Sequence, residues 1–118
     1  MSLEYFYKQQ SEQFSFIRIP KAMMTEEVFA PLSMQAKILY GMLLDRMGEA
    51  MKNRWIDDEG KAYVIYPISE IQQDMNISKG TSVNCIKELE DIGLVEKKMM
   101  GQGRPNYLYV KNFVPGNA

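Results

Sequence analysis

The stretch that decides the fold is ISEIQQDMNISKGTSVNCIKELED, residues 68–91. Apolar residues at helical spacing predict a short helix over 68–74 and a second helix over 78–91, joined by a tight turn. Ser78 is suited to cap the second helix, because its hydroxyl oxygen can accept a hydrogen bond from a backbone N–H of the first turn. Ile77 is the apolar residue that such a turn buries between two helices. The stretch therefore predicts a helix-turn-helix motif.

The second helix of this motif has two unlike halves. Its C-terminal half holds Glu88, Glu90 and Asp91, which lie at the negative end of the helix dipole, so helix stability does not explain them. Its N-terminal half is small, polar and uncharged or basic, as a helix entering the DNA major groove requires. We interpret it as a recognition helix, against the alternative of an ordinary exposed face. The candidate DNA-binding residues are Ser78, Lys79, Thr81, Ser82, Asn84 and Lys87.

A hairpin follows the recognition helix. Residues 94–98 and 107–110 are β-prone, and the loop between them is polar and rich in glycine. Strand alternation places the two adjacent lysines of the first strand on opposite faces, so at most one of them shares a surface with the loop arginine. We interpret residues 97–106 as the wing of a winged helix, against the alternative of a solvated charged hairpin. Its candidate DNA-binding residues are Lys97, Lys98, Arg104 and Asn106.

The remaining elements lie N-terminal to this motif. Residues 33–51 carry the longest apolar helical pattern, with Ser33 as a plausible N-cap, and predict the central helix of the core. Residues 14–19 partly alternate and predict a short strand or an extended segment. Two β-prone runs, 54–56 and 62–66, flank an acidic turn whose spacing is not that of an EF-hand, so we expect a solvated turn there.

Composition limits the remaining functions. The chain has 118 residues, 46% of them hydrophobic and 25% charged, which suits one globular domain. It has no histidine and a single cysteine, Cys85, which excludes imidazole general bases and nearly all zinc sites. We therefore expect no enzymatic activity, no cofactor and no metal site.

No apolar run approaches the ~20 residues that span a membrane, and residues 1–10 lack the pattern of a secretory signal. We expect a cytoplasmic protein that does not enter membranes.

Four stretches of the chain form a pattern that resembles one family. They are FIRIPK (16–21), LSMQAKILYGMLLDRM (32–47), IKELEDIGLVEKK (86–98) and GQGRPNYLYVKNF (101–113). The chain resembles, from about residue 14 to 113, the N-terminal domain of the RepA-type plasmid replication initiators of Gram-positive bacteria. The resemblance implies a winged-helix domain that binds repeated DNA sites at a replication origin. It also implies that full-length members carry a C-terminal domain, missing from this chain, that is implicated in recruiting replication machinery.

These observations predict an α+β, mainly helical domain. We expect a winged helix-turn-helix over residues 14–113, a short N-terminal arm over 1–13 and a linker stub over 114–118. The expected function is sequence-specific binding of double-stranded DNA, with the recognition helix on base edges and the wing on the backbone. The net charge of −1 does not favour this function, whereas the local clustering of basic residues at the motif does.

Another class of function stays open beside this one. A winged-helix module for protein–protein interaction or dimerisation would use Met99 and Met100 of the wing loop together with the arm, where Leu3, Tyr5, Phe6 and Tyr7 are large side chains without a core of their own. We expect a homodimer through this arm, against the alternative that the arm folds back on its own long helix. A transcriptional regulator domain without an initiator role is a further alternative.

Overall fold

The computed structural model describes residues 2–7 and 14–113. Its helices are α1 (Ala22–Thr25), α2 (Met34–Asn53), α3 (Ile68–Met75) and α4 (Lys79–Asp91), and its strands are β1 (Val95–Lys98) and β2 (Tyr107–Val110). A 3-10 turn at Glu27–Phe29 follows α1. The predicted α+β, mainly helical winged helix-turn-helix is confirmed. Residues 1 and 8–13 of the predicted arm and the predicted linker stub, 114–118, lie outside the described residues.

Helix α2 is the centre of the core. Ser33 caps it as predicted, and its Oγ accepts a 3.1 Å hydrogen bond from the N–H of Ala36. The helix ends at Asn53 rather than at residue 51, because Arg54 adopts a left-handed backbone with φ of 56°. The buried face of α2 packs with buried residues of α3, α4 and both strands in one apolar cluster. The residues of α2 in this cluster are Ala36, Leu39, Tyr40, Leu43 and Ala50.

One arginine of α2 fixes the position of α3. Arg46 Nη1 donates a 2.9 Å hydrogen bond to the carbonyl of Ile65 and lies 3.6 Å from a Glu70 carboxylate oxygen. Its Nη2 lies 3.7 Å from Asp74, and the guanidinium stands 3.9 Å from the centroid of the Tyr66 ring. Burial, together with a hydrogen bond to Asp74, raises the pKa of Tyr66 far above its usual value. This network attaches the first helix of the motif to the core.

The helix-turn-helix forms as predicted. Asn76 ends α3 in a left-handed conformation with φ of 53°. Ser78 starts α4, and its Oγ accepts a 3.1 Å hydrogen bond from the N–H of Thr81. Ile77 lies between the two helices and packs against the core. The turn is therefore residues 76–78, and both of its ends are set by local hydrogen bonding.

The wing is an antiparallel pair of strands that begins directly after α4. Gly93 follows α4 with φ of 88°, a left-handed backbone that glycine adopts without steric cost, and it reverses the chain after the helix. β1 starts at Val95 rather than at residue 94, and it pairs Val95 with Val110 and Lys98 with Tyr107. The strands are short, so their position depends on the buried Leu108 and its neighbours in the core cluster.

The segment 14–19 is extended but forms no strand within the part of the chain that the structure describes. It lies against α2 at Gly41, where an added Cβ would stand 2.8 Å from Ile19 Cγ1 and 3.1 Å from the carbonyl oxygen of Arg18. The backbone of this segment therefore packs on a helix instead of pairing with a strand. Pro20, which has no N–H to donate, ends it.

The runs 54–56 and 62–66 do not form a regular hairpin. They make one isolated bridge between Ile56 and Ala62, and a second bridge joins Val64 to Leu108 of β2. The Val64 bridge consists of two backbone hydrogen bonds of 2.8 and 2.9 Å. Residues 62–66 thus add a short third segment to the sheet of the wing at Val64 and do not form a separate hairpin with residues 54–56.

Candidate nucleic-acid interface

The outer face of α4 is open to solvent along its N-terminal half. Lys79, Asn84 and Lys87 are exposed, and Thr81 is half-buried beside them. Val83 is 46% exposed on the same half of the helix. Helical apolar spacing predicted that Val83 faces inward with Ile86 and Leu89, and this prediction is wrong because Val83 lies outside the buried face of the helix. The helix therefore presents polar and basic groups with one apolar residue among them.

Two predicted contacts of α4 have other roles. Ser82 was predicted to contact DNA, and this prediction is wrong: it is 0% exposed, and its Oγ donates a 2.9 Å hydrogen bond to the Ser78 carbonyl. The spacing of Ser82 from Cys85, Ile86 and Leu89 already matched the buried face of the helix. Ser78 stays exposed, but its Oγ is occupied as the N-cap and donates a 3.0 Å hydrogen bond to Thr81 Oγ1.

Two of the three acidic residues at the C-terminal half of α4, Glu88 and Glu90, are engaged within the protein, and Asp91 is exposed. Glu88 Oε1 accepts a 2.7 Å hydrogen bond from the N–H of Ser33, and Oε2 accepts a 2.9 Å hydrogen bond from Ser33 Oγ. The carboxylate thus lies at the positive N-terminal end of α2, where the helix dipole favours it. Glu90 lies 3.7 Å from Lys97 Nζ on the wing. Both carboxylates hold α4 in place, which explains two of the three acids at this end of the helix.

The wing places its basic residues on two different surfaces. Lys97 is opposite Leu108 and Lys98 is opposite Tyr107 in the strand register, so the two lysines point to opposite faces of the sheet, as predicted. Arg104 is exposed at the end of the loop. Its backbone N–H donates a 2.9 Å hydrogen bond to the carbonyl of Gly101, which orders the loop just before β2.

A groove of about 290 Å³ runs between α4 and the wing. Val83 and Ile86 line it from the helix, and Lys97, Arg104 and Asn106 line it from the wing. Pro67 and Ile68 close its floor at the start of α3. The structure therefore brings three of the four predicted wing residues to one surface beside the recognition helix. Lys98 is on the other side of the sheet.

The acidic turn is held by its own hydrogen bonds. Asp57 Oδ1 accepts 2.9 Å hydrogen bonds from the N–H groups of Glu59 and Lys61, and Oδ2 accepts a 2.8 Å hydrogen bond from Tyr109 OH. The bond from the Lys61 backbone, followed by that from Tyr109, holds the pKa of Asp57 below its usual value. The same contact raises the pKa of Tyr109 to about 12. The turn is a structural support for β2.

Other kinds of site receive no support from the described residues. Within residues 2–7 and 14–113, no three acidic, histidine or cysteine side chains stand close enough to hold a metal ion. Burial raises the pKa of the Cys85 thiol, which makes it a poor nucleophile. No helix in this part of the chain is both long and apolar enough to cross a bilayer.

The fold and this surface define a winged-helix domain in which the second helix of the helix-turn-helix has an open outer face. Comparison with known families then identifies it: residues 15–117 match the family described as Replication initiator protein A (RepA) N-terminus, and the chain belongs to this family. A curated relative, a 41 kDa protein of Lactobacillus helveticus, is 25% identical over 95 residues. That match covers 78% of this chain, but the chain spans only 27% of the relative's length.

Solved structures agree with the family assignment. A structure described as an N-terminal domain of a DNA-binding protein superposes with a TM-score of 0.77 at 32% identity, covering 94% of this chain and 85% of that one. A structure of a Rep–DNA complex also superposes with a TM-score of 0.77, at 33% identity, covering 92% of this chain and 84% of that one. A structure of an MDR initiator has a TM-score of 0.73 at 32% identity, with 92% and 86% covered.

Proposed function

We propose that this domain binds double-stranded DNA sequence-specifically at the repeated sites of a plasmid replication origin. Helix α4 enters the major groove and reads base edges, and the wing contacts the phosphate backbone. Asn84 is the central reader, because its amide can donate and accept at an adenine edge, and Lys79 and Lys87 flank it. The role is binding rather than catalysis.

The observation that carries this proposal is the juxtaposition of an open helix face and a basic wing. The polar half of α4 is exposed, and Lys97, Arg104 and Asn106 meet it across one groove. A B-DNA major groove is about 12 Å wide and admits one α-helix. A wing beside that helix reaches the adjoining backbone, where cations bind phosphates. A solved Rep–DNA complex shares this fold at 33% identity, which supports DNA as the partner.

The charge distribution supports DNA binding in spite of the net charge of −1. Glu88 is hydrogen-bonded to the end of α2 and Glu90 is paired with Lys97, so neither acid projects alone toward the open face. Lys79, Lys87 and Arg104 remain exposed at the surface that would face DNA. These three side chains are cationic, and binding should weaken as salt rises because their phosphate contacts would release counterions.

Selection from random duplex DNA tests the proposal. The domain is incubated with a randomised duplex library, retained molecules are sequenced, and affinity for the selected site is measured by fluorescence anisotropy at two salt concentrations. We expect one enriched sequence, bound at least ~10³-fold more tightly than random duplex. A library that stays random after repeated rounds would contradict sequence-specific binding. A plasmid-replication assay with Asn84→Ala and Arg104→Ala separates an initiator from a transcriptional regulator, which would use the same DNA contacts.

We also propose that the N-terminal arm mediates self-association of neighbouring copies on repeated sites. Tyr5 is 87% exposed, and Phe6, Phe14 and Phe16 form a chain of edge-to-face contacts with centroid separations of 6.0 and 6.3 Å. Burying such side chains contributes roughly 1.5–3 kcal/mol each, which can offset the ordering of a short arm. Deleting residues 1–10 should convert a dimer to a monomer in light scattering, and an unchanged mass would refute the proposal.

A further inference from the structure

The face of the wing sheet that points away from α4 carries a row of tyrosines. Tyr63 and Tyr107 stack face to face, with ring centroids 3.8 Å apart and an interplanar angle of 7°. Tyr109 meets Tyr63 edge-on at 6.2 Å. All three rings are half-buried, so each keeps part of its surface in solvent.

The strand register places this row on the outer face of the sheet. Directly opposed residues of antiparallel strands project to the same side, so Tyr107 shares a face with Lys98, its partner in β1. Leu108, the next residue along β2, is buried on the inner face with Val64, to which it is bridged. Tyr63 precedes Val64 and therefore projects outward with Tyr107.

Cationic groups flank the row at its loop end. Arg104 Nη2 donates a 3.5 Å hydrogen bond to Tyr107 OH, and Lys98 stands opposite Tyr107 in the register. Lys98 forms no ion pair with another side chain in the part of the chain that the structure describes. Two cations thus bracket the aromatic ring nearest the wing loop.

The acidic groups on this face are already engaged. Glu96 lies 3.2 Å from Lys111 Nζ, and Glu59 lies 3.5 Å from Lys61 Nζ. Asp57 is bound by Tyr109 and by backbone N–H groups. These groups surround an open groove of about 650 Å³ that Lys98 also lines. Tyr109 also lines this groove, so the groove adjoins one end of the tyrosine row.

We propose that this outer face binds single-stranded nucleic acid. An unpaired base stacks on the tyrosine row at Tyr107, and Lys98 and Arg104 bind the phosphates on either side of that base. Aromatic side chains flanked by cations are the general means by which proteins hold unpaired strands, because every base has a stacking face. The function is additional to duplex recognition, which uses α4 and the groove beside it, and Arg104 at the end of the loop borders both surfaces.

The test compares single strands with duplex on the intact chain. Fluorescein-labelled oligothymidylate and oligouridylate of about 12 nucleotides are titrated by anisotropy, beside the selected duplex. Tyr107→Ala should weaken single-strand binding roughly 5- to 100-fold, the range of one lost stacking contact. Tyr107→Phe, which keeps the ring, should bind within about twofold of the parent chain. Oligothymidylate and oligouridylate distinguish a DNA strand from an RNA strand as the occupant.

Two lysine variants separate this face from the duplex site. Lys98→Ala should weaken single-strand binding and lower the salt slope by about 0.7, the loss expected for one phosphate contact. Lys79→Ala on α4 should weaken duplex binding and leave the single strand unaffected. Equal effects of both variants on single strands would overturn the proposal, and so would a Tyr107→Phe loss as large as that of Tyr107→Ala. If Tyr107→Ala lowers the melting temperature, its loss of binding could reflect unfolding, and the effect of Lys98→Ala on single-strand binding is then the test of the proposal. Failure of duplex selection with retained single-strand binding would refute the proposed function and leave this inference standing.

Discussion

Replacing Glu88 with alanine tests the contact between α4 and the N-terminal end of α2. The side chain spans 55 positions of sequence to bind both the N–H and the Oγ of Ser33. A hydrogen bond to a charged group contributes about 1.5–3 kcal/mol. Because Glu88 is only half-buried, water replaces part of what is lost, and we expect Glu88→Ala to destabilise the domain by about 2 kcal/mol in total.

The assay is unfolding in urea with a parallel thermal scan. A loss of about 2 kcal/mol corresponds to a fall in Tm of roughly 8 °C for a domain of this size. Asp91→Ala is the matched control, because Asp91 is an exposed acid on the same helix. Its effect should stay within about 0.5 kcal/mol. Glu90→Ala removes an ion pair of partly exposed side chains and should cost less than about 1 kcal/mol.

A double-mutant cycle with Ser33→Ala isolates the side-chain part of the contact. Ser33→Ala removes the Oγ bond to Glu88 and the cap of α2 but leaves the backbone N–H in place. We expect a coupling energy of about 1 kcal/mol between the two sites. If Glu88→Ala is no more destabilising than Asp91→Ala, or if the coupling energy is zero, the contact between Glu88 and Ser33 does not stabilise the fold and the reasoning is refuted.

The remaining predictions concern the packing of α2 and the acidic turn. Gly41→Ala should destabilise by about 1–3 kcal/mol because its Cβ would press on the segment before Pro20, whereas Gly48→Ala, with nothing within 4 Å of its Cβ, should stabilise by about 0.5–1 kcal/mol; equal effects in urea unfolding would show that the segment does not pack there. Asp57 has a lowered pKa, so its contribution is present above the unfolded pKa near 3.9 and is lost as pH falls through the lower folded value. Asp57→Asn should therefore flatten the acid limb of the stability–pH curve, and an unchanged limb would contradict this assignment.

Local signals made much of the motif predictable from the sequence. Ser33 and Ser78 are caps whose bonds span only three residues, and Gly93 needs only its own left-handed backbone. Apolar spacing likewise located α3 and α4 to within a residue or so. Each of these features depends on neighbours in sequence, which is the information that a single chain carries.

Features that depend on distant partners were not predictable. The roles of Glu88 and Lys97 depend on Ser33 and Glu90, and no local pattern indicates those pairings. The bridge from Val64 to β2 joins segments more than 40 positions apart. The sequence therefore indicated only that residues 62–66 could pair with the neighbouring run across the acidic turn. The error at Ser82 has another cause. Its helical spacing placed it on the buried face of α4, but its polar side chain led to the prediction that it contacts DNA.

The most direct test of DNA reading by α4 and of backbone contact by the wing is one binding experiment with two variants. Asn84→Ala and Arg104→Ala are compared with the parent chain on the selected duplex and on random duplex across a salt series. We predict that Asn84→Ala costs about 1–3 kcal/mol on the selected duplex alone. Arg104→Ala should weaken both duplexes alike and lower the salt slope by about 1. Equal losses on both duplexes for Asn84→Ala would contradict base reading by α4.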